Sequence, residues 1–160
     1  MATARQLRCA KCNHQSVVPG LFKALESIAK GERSTCPRCG ETCCLNLRFD
    51  FDLGGDGAEC TVLDCFMSSE SWTDPSTGQQ VVFHPFLVVT KFGTGKRGTW
   101  LPYWHLVGNN PPRFGQWAPY MDESLFSNLL SQARAHGYVF GAVAQSAVEQ
   151  RDEADEARDG

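Results

Sequence analysis

Two Cys-x-x-Cys pairs near the amino terminus, Cys9-Ala10-Lys11-Cys12 and Cys36-Pro37-Arg38-Cys39, constrain this 160-residue chain more than any other feature. Two intervening residues let both sulfurs of a pair point to one side of a tight turn, where backbone N–H groups can donate to the thiolates. The residue after each second cysteine is expected in the left-handed region, which Gly40 adopts freely and Asn13 tolerates better than most residues. Pro37 pre-sets the second turn. Cys36 follows Cys12 by 24 positions. Two such turns facing each other close a tetrahedral four-thiolate metal site, with no coordination position left for water or substrate. Redox-active or disulfide-forming CxxC pairs are the competing reading, but thioredoxin-like use takes a single CxxC at a strand-to-helix junction.

The segments CAKCN and CPRCG resemble the zinc-ribbon class of small domains, over about residues 7–44. The resemblance implies one structural Zn2+ on Cys9, Cys12, Cys36 and Cys39, and a role in contacting nucleic acid or protein, without naming one activity. One departure stands out. Ribbons commonly join their knuckles by short β-hairpins, whereas Leu21, Phe22, Leu25, Ile28 and Ala29 recur here at helical spacing before Gly31. That helix is expected to cover one side of the metal site, with Lys23, Glu26 and Lys30 turned away. Residues 1–44 bury little surface unaided, so zinc would supply on the order of 10 kcal/mol of folding free energy.

No apolar leader follows Met1 and no run is long enough to span a membrane, so the expected location is cytoplasmic, where eight cysteines stay reduced. The net charge of −3 conceals blocks of opposite sign. Residues 1–48 carry 8 basic and 3 acidic side chains, residues 49–74 none and 7, residues 75–121 4 and none, and residues 122–160 3 and 8. A surface with opposed poles follows.

Beyond the second knuckle, Leu45 to Leu53 alternates apolar and polar residues, the period of a half-buried strand. Gly54–Gly57 reads as a turn, and Glu59 to Met67 as the returning strand. Residues 68–78 read as turn. Gln80 to Phe92 is a strand too apolar for an exposed edge, with Pro85 implying a bulge or an edge locally. Residues 93–98 form a hairpin turn and Thr99 to Val107 a fourth strand in meander order. The segment 108–119 reads as a loop. Asp122 caps a helix carrying Leu125, Phe126, Leu129, Leu130 and Ala133 on one stripe, and Gly137 ends it. Tyr138 to Val143 reads as a short strand, and the acidic remainder as a solvated tail.

Cys43, Cys44, Cys60 and Cys65 raise the possibility of a second metal site. Adjacent positions, and positions five apart, fall on opposite faces of a strand, which favours buried thiols acting as small apolar groups. His84 and His105, on strands paired through the 93–98 turn, suggest an acid–base pair for a hydrolase or transferase. The segment Gly93-Thr94-Gly95-Lys96-Arg97-Gly98 fails as a P-loop, since Thr90 and Arg97 occupy the required Gly and Ser/Thr positions. Lys91, Lys96, Arg97 and Arg113 lie instead among Phe92, Trp100, Tyr103, Trp104, Phe114 and Trp117, with no acidic residue from 75 to 121. Cations beside rings suit nucleic acid, since rings stack on bases and cations follow phosphates. The opposing account places the rings in the core.

The expected fold is therefore α+β: a zinc ribbon with an inserted helix (1–44), a small antiparallel sheet packed by one amphipathic helix (45–144) and an acidic tail (145–160). The expected function is non-catalytic engagement of nucleic acid or a nucleoprotein complex, through Lys91, Lys96, Arg97, Trp100 and Arg113. The alternative is a protein-interaction adaptor using Trp72, Trp100, Trp104 or Trp117.

Overall fold

The computed structural model describes residues 2–18, 20–49, 58–115 and 121–140. These form a mixed fold, mostly antiparallel sheet with two helices. In chain order the elements are β1 (Ala2–Cys9), β2 (Gln15–Val17), α1 (Leu21–Ala29), β3 (Cys43–Phe49), β4 (Ala58–Met67), β5 (Glu70–Thr73), β6 (Gln80–Phe92), β7 (Arg97–Trp100), β8 (Tyr103–Val107), β9 (Arg113–Phe114) and α2 (Glu123–Ala135). The expected four-strand meander is the middle of a larger sheet, ordered β2-β1-β3-β4-β6-β8-β9, with β5 and β7 also paired to β6. Because β1 pairs with β3 from Leu7↔Leu45 to Cys9↔Cys43, the cysteine-bearing segment continues directly into the sheet. The expected 54–57 turn, the residues after Phe140 and Trp117 lie outside the described residues.

β6 is the central strand, and its bounds match the expected 80–92. Its first half pairs with β5 and β8 and its second half with β4 and β7. The changeover falls at Pro85, which lacks an N–H donor. Its carbonyl accepts from Ser68, and the Phe86 N–H donates to the Pro102 carbonyl. Pro85 is thus neither a bulge nor an edge; it sits where both neighbouring strands break. The second break, at Leu101-Pro102, divides the expected 99–107 strand into β7 and β8.

Both faces of β6 are covered, which accounts for its unbroken apolar run. On one face Phe86 and Val88 meet Leu21, Phe22 and Leu25 of α1, together with Leu45, Leu47 and Trp104. On the other, Leu87 and Val89 meet Leu129 and Ala133 of α2, with Phe66. α1 therefore lies on the sheet and not over the cysteines, as its spacing alone had suggested. Cys60 and Cys65 both join the α1 side. A bulge at Leu63, where the β4/β6 register steps from Val62↔Thr90 to Asp64↔Val89, adds one residue and restores the common face.

Both helices end as their glycines imply. Gly31 (φ 80°) and Gly137 (φ 81°) are left-handed. Glu32 N–H bonds to Ser27 and Gly31 to Ile28; Tyr138 bonds to Ala133 and Gly137 to Arg134. This is the paired bonding of the Schellman motif at each end. Asp122 caps α2 by accepting from Ser124 N–H at 2.8 Å. Its hydrogen bonds from Ser124 hold its carboxyl below the usual range. Asp64 links the two helix ends, 3.6 Å from Arg33 after α1 and 3.1 Å from His136 Nδ1 at the end of α2. Past Gly137, residues 138–140 form no strand, contrary to expectation; Tyr138 and Phe140 pack beneath α2 instead.

Gly115 follows β9, its N–H bonded to the Tyr103 carbonyl. A Cβ there would overlap the buried Tyr103 ring. Gly115→Ala is expected to destabilise the chain by about 2 kcal/mol, the cost of an overpacked core, as read by urea denaturation.

Candidate metal centre

β1 runs straight into the first knuckle. Cys9 N–H donates to His14 O and Asn13 N–H to Cys9 O. The second knuckle repeats the pattern: Cys36 N–H donates to Glu41 O and Gly40 N–H to Cys36 O. Asn13 (φ 56°) and Gly40 (φ 72°) both take the left-handed conformation that the spacing requires. The two turns are thus equivalent in backbone bonding, although one ends a strand of the main sheet and the other is flanked only by the Thr35↔Thr42 bridge.

The four sulfurs converge. All lie within 4.8 Å of one another, with Cys9–Cys39 and Cys12–Cys36 at 3.5 Å and Cys39–Cys12 at 3.6 Å. Sulfurs about 2.3 Å from a tetrahedral ion sit about 3.8 Å apart, so the separations match a metal cage and far exceed a disulfide bond. Cys9 and Cys36 are buried, and Cys12 and Cys39 half-buried.

The backbone favours negative charge at the first cysteine of each pair. The N–H of Cys12, against burial and with help from Lys11, lowers the Cys9 thiol below its usual value. Burial opposes the same effect at Cys36, but the N–H groups of Arg38 and Cys39 and the neighbouring sulfurs bring it down to about 6. The second cysteines go the other way. Cys39 accepts from Glu41 N–H, yet hydrogen bonding to the Cys9 sulfur and burial push it up to about 12. A divalent ion bound by these four sulfurs would displace their thiol protons. The donor set, four thiolates at tetrahedral spacing in a closed shell, fits a soft or borderline metal.

A fifth sulfur adjoins the four. Cys43 is buried with Cys9 and Cys36, and its thiol is raised by burial and by the charge of the Cys36 and Cys9 sulfurs. Cys44, next along β3, is exposed on the opposite face, as strand alternation requires. Cys60 and Cys65 are free thiols in the α1 core. Burial raises Cys60 to about 11 and raises Cys65 further.

The remaining site residues separate by strand parity. Lys91 and Arg97 face each other across β6 and β7, with Lys96 exposed in the turn between. Trp100 belongs to the other face, half-buried against the α1 core and edge-on to Phe49 at 5.1 Å. Phe92, Trp104 and Phe114 share that face. Rings and cations adjacent in sequence therefore point to opposite sides of the sheet. Arg113 lies opposite His105, which is opposite Phe83. Eight strand residues from Phe83 to Lys91 put Arg113 about 26 Å from the hairpin.

Lys91 and Arg97 instead end a row that crosses six strands, Val17–Gln6–Asn46–Thr61–Lys91–Arg97. Thr61 Oγ1 donates to Asn46 Oδ1 at 3.0 Å within it. Arg8 and Arg48, both exposed, occupy the same face one step away, with Glu59 opposite Arg48. Sequence reasoning missed these two arginines, because only the pairing of β1 with β3 and of β3 with β4 puts them on the face that carries the hairpin cations.

His84 and His105 do not form a pair. His84 contacts Phe22 of α1 at 5.6 Å, whereas His105 lies on the opposite face against Phe83 and Tyr103. Burial lowers both from the usual histidine value, at His84 against the opposing pull of Glu26 and the Ser68 backbone. Of the expected tryptophan anchors, Trp104 is buried and Trp72, on β5, is 44% exposed. Among the described residues no helix is long and apolar enough to cross a membrane. The chain matches no protein-family model, no curated protein and no solved structure.

Proposed function

We propose that this chain is a non-catalytic zinc protein of the zinc-ribbon type that engages the phosphate backbone of nucleic acid, alone or within a nucleoprotein complex, through the sheet face that carries Lys91 and Arg97 beyond α2. Cys9, Cys12, Cys36 and Cys39 would hold one structural Zn2+, which ties β1 and β2 to the second knuckle and so stiffens the face that β1 extends. A four-thiolate site of this kind belongs in a reducing compartment such as the cytoplasm.

The observation that carries the partner is the end of the polar row. Lys91 and Arg97 stand directly opposite each other, an arrangement that destabilises a sheet by itself, and neither makes an ion pair among the described residues. Arg8 extends the positive charge across the same face, among Gln6, Asn46 and Thr61 as neutral hydrogen-bonding groups, while Arg48 stands opposite Glu59. The rings lie on the far side, so the contact is with phosphates and not with stacked bases, and it carries little sequence preference.

Binding is expected to be weak, with a Kd on the order of 1–100 μM at physiological salt. Lys91→Ala combined with Arg97→Ala should flatten the slope of log affinity against log salt by about 1.4 on single strands or about 1.8 on duplex. Fluorescence anisotropy with short labelled DNA and RNA across a salt series reads both quantities. Absent binding at low salt, or an unchanged slope in the double variant, would remove the nucleic-acid reading. A protein partner is the second reading. It rests on Trp72, exposed on β5 and edge-on to His105 at 6.1 Å, a large ring of the type that anchors interfaces.

A further inference from the structure

Cys43 has a place in the fold that a merely buried thiol would not require. It is the register partner of Cys9 on the antiparallel β1/β3 pair. Cys9 N–H goes to His14 and Cys43 N–H to Ser34, so the two form a pair without hydrogen bonds between them. In such pairs the Cα atoms lie about 4.5 Å apart and the side chains lean together, inside the Cα range of about 4.4–6.8 Å that a disulfide spans. Both sulfurs are buried in the same cluster.

Cys43 also has a route to solvent that Cys9 lacks. Between α1 and the β1/β3 end of the sheet runs a cleft of about 500 Å³, lined by Leu7, Ala24, Ile28, Ser34, Cys43 and Leu45 among others. It opens because β3 pairs with β4 only through Asn46–Phe49, so the two strands separate before Cys43. Cys9 is fully buried, while Cys43 forms part of the cleft wall. A small neutral oxidant entering the cleft meets Cys43 first.

We infer that Cys43 and Cys9 form an oxidation site at which a peroxide converts the pair to a disulfide, removing one of the four cage sulfurs and releasing the metal. In the first step the Cys43 sulfur attacks hydrogen peroxide. The O–O bond breaks, an S–O bond forms, and the departing hydroxide takes the thiol proton, leaving a sulfenic acid and water. In the second the Cys9 thiolate attacks the Cys43 sulfur; the S–S bond forms, the S–O bond breaks and hydroxide leaves. Two sulfurs lose two electrons in total, and one peroxide becomes one water and one hydroxide.

The inference concerns the same cluster as the zinc reading, but its test separates the two. Zinc-loaded full-length protein is treated with one equivalent of hydrogen peroxide, alkylated, digested with trypsin and analysed by mass spectrometry, while a chromophoric chelator follows free zinc. The expected first disulfide joins the Cys9–Lys11 peptide to the Cys39–Arg48 peptide. The latter carries Cys39, Cys43 and Cys44, so fragmentation must place the bond at Cys43. Cys43→Val should lose this linkage and release zinc more slowly, and Cys44→Ser should retain both. A first disulfide among Cys9, Cys12, Cys36 and Cys39 alone, or a Cys43 thiol still alkylated after zinc has left, would overturn the inference. A Cys9–Cys43 bond in a chain that binds no zinc would sink the metal reading, and metal release with it, and leave the oxidation of the pair standing.

Discussion

Chelating the metal should lower the melting temperature of the chain by about 20 °C or more, and should disturb structure well beyond the cysteines. The magnitude follows from a structural zinc contribution on the order of 10 kcal/mol, comparable with the whole stability of a typical domain, and from a shift of about 2–4 °C per kcal/mol at this chain length. The reach follows from topology. Cys9 ends β1, β1 pairs with β3, and β3 supplies Leu45, Leu47 and Phe49 to the core that holds Trp104 and borders Trp100. Tryptophan emission should therefore move to longer wavelength on chelation, as Trp100 and Trp104 become wetter, and Cys36→Ser should reproduce the change without a chelator. A chelated protein that melts within a few degrees of the loaded one would mean that the cysteine cluster does not support the sheet.

The second large effect is expected at Phe86. It is fully buried on β6 and meets Phe22 of α1 edge-on at 5.8 Å and Trp104 at 5.2 Å. Truncation removes the ring joining helix to sheet just after the partner change at Pro85, leaving a cavity that strands paired on both sides cannot easily close. Phe86→Ala is expected to cost about 4 kcal/mol, lowering the melting temperature by about 10 °C. Phe126, exposed on α2, is the control; its alanine variant should change stability by less than about 0.5 kcal/mol. Equal effects at the two positions would contradict the packing described for the α1 core.

Much of this arrangement is legible in the amino-acid sequence. β6 announced itself by a run of apolar residues too dense for one buried face, and both helix stops by glycines in the left-handed region. The cysteine cluster was readable because its information is local: two residues between cysteines, then a residue able to turn left-handed. β1 was not legible, since in Thr3-Ala4-Arg5-Gln6-Leu7-Arg8 only Leu7 marks an inward face. Its strand character comes from β3 beside it, a tertiary cause. The common face of Cys60 and Cys65 was hidden for a similar reason, because the bulge at Leu63 is a property of the pairing with β6.

The cations and rings carry a different lesson. Lys91 precedes Phe92, and Arg113 precedes Phe114, so once these segments are read as strands alternation alone separates charge from ring. The composition of residues 75–121 suggested a mixed patch; strand periodicity predicts two faces, and two faces are what the sheet has. Arg8 and Arg48 could not have been added to the cationic face from sequence, because they sit 40 positions apart and meet it only through β1 and β3.

The central claim, a closed four-thiolate metal site, is tested most directly by zinc K-edge X-ray absorption on the purified protein. Four sulfur scatterers at about 2.3 Å, with none of the nitrogen or oxygen neighbours near about 2.0–2.1 Å that histidine or water would add, are predicted. A first shell containing nitrogen or oxygen, or a protein that purifies reduced yet retains no metal, would contradict the account.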